Sequence, residues 1–147
     1  MEISNLKDCP GHADIVADRG WNAWWTESGV PQAQYRAHLT PMIEGEGIPF
    51  ALVAHDEDTY LGSVLVIECD LDDRPQYTPW IAALWVEPKA RRQGIAANLI
   101  EAARDEAASR GHLSCYLCAT PDNSPYYLAR GFKPIESDVS GLNVFVV

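Results

Sequence analysis

The spacing of apolar and polar positions changes character along this chain. From His12 to Glu27 the apolar residues Ile15, Val16, Trp21, Trp24 and Trp25 recur at helical intervals, which predicts one or two helical segments. Pro31 to Glu44 opens with a proline suited to a helix start, carries Tyr35, Leu39, Met42 and Ile43 in the same rhythm, and is ended by Gly45 and Gly47. The runs then become short and continuous. Pro49 to His55 has strand length, His55-Asp56-Glu57-Asp58 is a polar turn, and Tyr60 to Cys69 reads as the partner strand of a hairpin. Asp70 to Pro79 holds Asp70, Asp72, Asp73, Arg74 and two prolines and reads as a loop, and Trp80 to Val86 is again a strand, closed by Pro88. Met1 to Leu6 has the length of a brief first strand.

The helical rhythm returns from Gly94 to Arg110. Ala96, Leu99, Ile100, Ala103 and Ala107 form one face, Glu101, Arg104, Asp105 and Ser109 the other, and Gly111 stands where a helix C-terminal glycine belongs. Leu113 to Ala119 then reads as a strand. Ser124 to Arg130 reads as a short helix ended by Gly131. Phe132 to Ile135 and Leu142 to Val147 read as the last strands, with Ser140-Gly141 turning between them. Consecutive strands in the middle and alternating strands and helices later predict an α/β chain, a single mixed sheet flanked by helices over residues 1–147. The unit from Trp80 to Ala119 is expected to be a parallel strand–helix–strand crossover. The apolar C-terminal strand, Val144 to Val147, offers an edge for pairing with a second copy, so a homodimer is one expectation.

Composition narrows the function. The formal net charge of −10 repels phosphate backbones and argues against nucleic acid as a partner. No apolar run approaches the roughly 20 residues a bilayer requires, and Met1-Glu2-Ile3-Ser4 is unlike a signal peptide, so the expectation is a cytoplasmic protein with no membrane partner. The four cysteines then read as reduced thiols. Cys115 and Cys118 are three apart on an expected strand and point to opposite faces, no second pair completes a zinc site, and His12, His38, His55 and His112 show no metal spacing. No metal is expected, and the histidines are read as surface or loop residues.

The informative chemistry lies in Leu84-Trp85-Val86-Glu87-Pro88-Lys89-Ala90-Arg91-Arg92-Gln93-Gly94-Ile95-Ala96. A strand ends, a basic turn follows and a helix begins, so backbone N–H groups converge on one spot that suits an anion. Gly94 allows close approach, Ala96 keeps the first turn uncluttered, and Arg91 and Arg92 add positive charge to an acidic chain. Spacing alone fits a pyrophosphate site and an ordinary capped helix equally well. A Walker loop and a dinucleotide fingerprint both fail, because Gln93-Gly94-Ile95-Ala96 lacks Lys-Ser/Thr and only one of the needed glycines is present.

Arg91-Arg92-Gln93-Gly94-Ile95-Ala96 resembles the acetyl-CoA motif of the GNAT acetyltransferases, Gln/Arg-x-x-Gly-x-Gly/Ala. The likeness extends to Leu84-Trp85-Val86 with Pro88 beyond it, to the length of the following helix, and to a Tyr four residues before Gly-Phe in Tyr127-Leu128-Ala129-Arg130-Gly131-Phe132, so it covers Trp80 to Ile135. The resemblance implies a mostly antiparallel sheet of six to seven strands, about four helices, and a fourth strand splayed from the fifth. It implies acetyl-CoA as acyl donor, backbone contacts from Leu84, Trp85 and Val86 to the pantetheine arm, and a pyrophosphate held by the amides of Arg91, Arg92, Gln93, Gly94, Ile95 and Ala96. Asn123 would stand near the pantetheine, although its spacing to Tyr127 is shorter than in the usual pattern.

Tyr127 is the candidate general acid: a phenol with an ordinary pKa of about 10 keeps its proton at neutral pH and can give it to a leaving thiolate. Tyr126 is read as the packing residue. The carboxylate some members carry on the fourth strand is replaced here by Ile81, Ala82 and Ala83, leaving Glu68, Asp70, Asp72 or ordered water to take the amine's proton. For each of these acids a solvated loop charge is the competing reading. The layout implies an acceptor pocket walled by the early helices and the Asp70 to Pro79 loop, with Trp21, Trp24, Trp25 and Tyr35 as wall candidates, some of them ordinary packing residues, and with Glu27, Glu44, Glu46, Asp70, Asp72 and Asp73 in its expected borders. The acceptor is then a small-molecule or protein amine, and a small cationic amine suits the charge. A non-catalytic acyl-CoA sensor of the same fold is the alternative.

Overall fold

The strand-length apolar runs assemble into one sheet in the computed structural model, which describes residues 1–147. Its strands are β1 (Glu2–Asn5), β2 (Phe50–Asp56), β3 (Thr59–Ile67), β4 (Trp80–Val86), β5 (Tyr116–Ala119), β6 (Lys133–Val139) and β7 (Leu142–Val146), in the order β1-β2-β3-β4-β5-β7-β6. Every neighbouring pair is antiparallel except β4 with β5. That parallel pair meets only at Trp80 and Tyr116, where the Tyr116 amide donates to Pro79 O at 2.9 Å. Beyond this point β4 and β5 part, as the resemblance implied.

The runs in β2 and β3 are continuous rather than alternating because both faces of the sheet are covered. Phe50, Leu52, Val64 and Val66 pack with Leu99, Ile100 and Ala103 of the long helix α4 (Ile95–Ser109), the fourth along the chain. Ala51, Val53 and Leu65 pack on the opposite face with Val16 and Ala17 of α1 (Ala13–Trp24), Tyr35 of α2 (Gln32–Ala37), and Met42 of α3 (Thr40–Glu44). A fifth helix, α5, spans Ser124–Leu128.

Four expectations change. The helix expected over Pro31 to Glu44 is split into α2 and α3, because Pro41 has no N–H to give Ala37 and favours a helix start instead. The chain tightens before it, with His38 N bonding Tyr35 O and Leu39 N bonding Arg36 O. The strand expected from Leu113 begins only at Tyr116, Leu113 being 89% exposed. His55 is no loop residue: it lies in β2, is buried, bonds Ser4 Oγ through Nε2 at 2.9 Å, and meets the Glu57 carbonyl through Nδ1 at 2.8 Å. Val144 to Val147 is not a sheet edge either. β7 is paired on one side by β5 and on the other by β6, so its backbone groups are already used and β1 and β6 form the edges. No helix is long and apolar enough to cross a membrane.

Candidate active site

The turn from β4 to α4 is built to present backbone donors. Gly94 takes φ +81°, a left-handed conformation that opens the helix, and no side chain caps the end. The first internal bond of α4 runs from Asn98 N to Gly94 O at 3.0 Å, which leaves the amides of Ile95, Ala96 and Ala97 without a helical acceptor. A β-carbon placed on Gly94 would meet nothing within 4 Å, so the space over these amides is open. A groove of about 440 Å³ lies here, lined by Leu84, Trp85, Val86, Arg91, Arg92, Gly94, Ile95 and Ala96, and closed by Tyr126 of α5 and by Arg130 just beyond that helix. Gln93 is exposed and does not line it.

The two arginines of the turn differ. Arg91 is folded back, its Nε donating to Val86 O at 2.9 Å and its guanidinium 4.8 Å from the Trp85 ring centroid. Arg92 is exposed. Arg130, which sequence reasoning did not single out, lies 3.5 Å from the Tyr126 ring centroid and adds a third cation to the groove. Its four-residue spacing from Tyr126 on a short helix was the available signal.

A second cavity, of about 470 Å³, opens where β4 and β5 part. Leu84 lines both spaces, so the groove and the cavity meet along β4. The β3–β4 register slips between Ser63–Trp85 and Leu65–Ala82, bulging the strand at Ala83 and Leu84, and Ala83 has φ +51°. The bulge thus falls where the two spaces join.

Tyr127 of α5 and Asn123 just before it line the cavity, with Trp24, Trp25, Tyr35 and His38 from the early helices and their ends, Cys118 from β5, and Asp70 from the loop after β3. The Tyr127 ring is seated against Phe132 (centroids 5.6 Å apart) and Phe145 (6.1 Å), and burial pushes its phenol pKa upward, with smaller contributions from Tyr126 and Cys118. Cys118 Sγ donates to Asp70 Oδ2 at 3.2 Å. Asp70 is itself exposed, yet crowding by protein on its inner side raises its carboxyl pKa, and the thiol bond opposes that rise. Burial first, and Asp70 second, push the Cys118 thiol up to about 12, so it stays protonated at neutral pH. Asp70 also raises the Tyr35 phenol, already raised chiefly by burial.

Of the other wall and acid candidates, Trp21 does not reach the cavity. Its Nε1 donates to Val30 O at 2.8 Å, and its ring packs against the α1 core, while Trp24 at the end of α1 takes the rim position. Glu68 and Asp72 are exposed and outside the lining, as are Glu27, Glu44, Glu46 and Asp73. Glu46 instead pairs with Lys7 at 3.1 Å. No group of His, Cys, Asp and Glu is arranged to hold a metal ion.

The sequence profile described as the acetyltransferase (GNAT) family matches residues 17–132. No curated protein matches the chain. Among solved structures, an aminoglycoside 6'-N-acetyltransferase complexed with coenzyme A superposes with a TM-score of 0.77 at 19% identity, covering 100% of this chain and 96% of that one. The aminoglycoside 6'-N-acetyltransferase from Enterococcus faecium gives 0.75 at 19% identity, with the same coverage. The protein yncA from Salmonella typhimurium, solved with its cofactor acetyl-CoA, gives 0.72 at 17% identity, covering 100% and 92%. At these identities the structural likeness is one of fold.

Proposed function

The chain belongs to the GNAT acetyltransferase family, and on that premise we propose that it moves an acetyl group from acetyl-CoA to the amine of a small molecule. The observation that carries this reading is the junction along Leu84: a groove of unpaired amides and arginines on one side, and a cavity lined by a half-buried phenol and one carboxylate on the other. The free amides of the first turn of α4, with Arg92 and Arg130, would hold the pyrophosphate. Leu84, Trp85 and Val86 offer backbone along the parting of β4 and β5 for the pantetheine arm, near Asn123. Bound in this way, the thioester supplies an activated acetyl carbonyl.

The chain's own residues then manage protons. Asp70 is the one carboxylate in the cavity and takes a proton from the incoming ammonium, leaving the neutral amine whose lone pair forms the new C–N bond. Its raised pKa suits that task. Tyr127 gives its phenolic proton to the sulfur as the C–S bond breaks, and regains one from the acylated nitrogen. The proton on Asp70 passes to solvent, so the net products are an amide, free CoA and one proton.

The test is release of free thiol and formation of acetylated product, followed by mass spectrometry, when the protein is given acetyl-CoA and a panel of primary amines. Acetylation of at least one amine above the uncatalysed rate is the expected result. CoA binding without acetyl transfer to any amine would favour a sensor in place of an enzyme.

A further inference from the structure

We propose that the acceptor is a singly charged amine with an apolar, ring-bearing body, its ammonium held by Asp70 and its body by the aromatic wall of the cavity. This deepens the transferase reading and rests on it. The cavity is mostly apolar: 16 of its 20 lining residues are hydrophobic, and no lysine or arginine is among them. Of the six acids expected around it, only Asp70 lines it. The net charge of −10 therefore draws cations toward the molecule but leaves a single carboxylate, exposed at its outer side, in the lining of the cavity.

The wall opposite is built from rings. Trp25 stands 5.3 Å from Tyr35 and 6.3 Å from His38, centroid to centroid, and Trp24 at the rim is 51% exposed, held edge-on to Trp85 at 6.3 Å. Such a surface takes up a flat or apolar body and adds cation–π attraction to a nearby ammonium. Asp70 lies between the parts that matter. It is close enough to Tyr35 to raise that phenol, and it bonds Cys118, which in turn perturbs Tyr127. One carboxylate oxygen accepts from the thiol, and the other is left for the ammonium. A second ammonium entering this space would be stripped of water with no carboxylate to meet it, which is costly. Polyamines and aminoglycosides fit the built cavity worse than an arylalkyl monoamine does.

The full chain without acetyl-CoA can be titrated with 2-phenylethylamine, its neutral analogue 2-phenylethanol, spermidine and an aminoglycoside, reading the fluorescence of the cavity tryptophans. The expected order is 2-phenylethylamine tightest, with the two polycations weaker. Asp70→Asn should weaken 2-phenylethylamine by about tenfold or more, the scale of one charge-assisted hydrogen bond, and leave 2-phenylethanol unchanged. Tighter binding of spermidine or the aminoglycoside, or equal binding of 2-phenylethylamine by parent and variant, overturns the proposal. Loss of the alcohol and the amine alike in Asp70→Asn also overturns it, by assigning Asp70 to the shape of the cavity. Calorimetric CoA binding to the parent is read separately: its failure would remove the transferase reading while leaving the amine titration to decide the cavity.

Discussion

Tyr127 is held by three rings, Tyr126, Phe132 and Phe145, and its phenol has been raised above the ordinary value by burial. A raised pKa keeps the donor protonated further into alkaline conditions, so the activity it supports should persist to above about pH 10 and fall only as the phenol ionises. Tyr127→Phe keeps the ring contacts and removes the proton. We expect kcat to drop roughly 10²-fold or more, with CoA affinity and melting temperature little changed, and the alkaline fall of the profile to disappear. Tyr126→Phe should keep nearly full turnover, because the Arg130 guanidinium stacks on a ring that remains. Steady-state kinetics against pH for both variants decide the assignment, and unchanged turnover in Tyr127→Phe would make Tyr127 a packing residue. The place of Tyr127 at the cavity was legible in the sequence because its motif is local, four residues before Gly131-Phe132. Trp24 against Trp21, and Asp70 against Glu68, were not legible. Each choice turns on where an element stops and which way its last residues face, and such ends are the least determined part of a periodic pattern.

At the scale of elements, the groove proposed for the cofactor depends on one helix terminus and one irregular strand. Gly94 at φ +81° opens α4, and the space beside it is clear. Gly94→Val puts a β-branched side chain into a conformation that strains it and fills that space. Calorimetry is expected to show CoA binding lost, while circular dichroism still reports a helical fold with a lowered melting temperature. Undiminished CoA binding in that variant would mean the pyrophosphate lies elsewhere. In β4, Ala83 carries a positive φ that costs roughly 1 kcal/mol for a residue with a β-carbon. Ala83→Gly should therefore melt close to the parent, relief of strain offsetting the added chain entropy, whereas Ala83→Val should melt lower. A Val variant as stable as the parent would show that the bulge is unstrained. The helix α4 was readable because its face repeats over fifteen residues and Gly94 and Gly111 mark its ends. The bulge was not, since Ala82-Ala83-Leu84 looks like any apolar run and only pairing with β3 reveals the extra residue. The α2–α3 break rests on Pro41, which an apolar rhythm alone runs straight through.

Across the whole molecule, the loop that carries Asp70 is tied to the far edge of the sheet. Arg74 meets Glu136 of β6 through two parallel bonds, Nε to Oε2 and Nη2 to Oε1, both 2.8 Å, and Tyr77 Oη donates to Glu136 Oε2 at 2.7 Å. Tyr77 also stacks on Tyr116 at 4.7 Å, beside the point where β4 and β5 meet. The sequence announced the loop by its charges and prolines but gave no sign of this tie, because Arg74 and Glu136 are 62 residues apart. Total charge misled at the same scale, since of the acids expected around the cavity only Asp70 reaches its lining. The Arg74 and Tyr77 bonds hold the Glu136 carboxyl down at about 2, below its unfolded value near 4.3. A depressed folded pKa contributes stability above the unfolded value and loses it as pH falls toward about 2. Melting temperature of the parent should therefore fall between about pH 5 and pH 2, and Glu136→Gln should fall less steeply over that range while starting lower at neutral pH. If the tie also positions the loop, the same variant should raise KM for the amine and leave CoA affinity unchanged. An identical acid slope in parent and variant would show that the pair contributes nothing to stability, as exposed ion pairs often do, and an unchanged KM would free Asp70's placement from the latch and assign it to Cys118 alone.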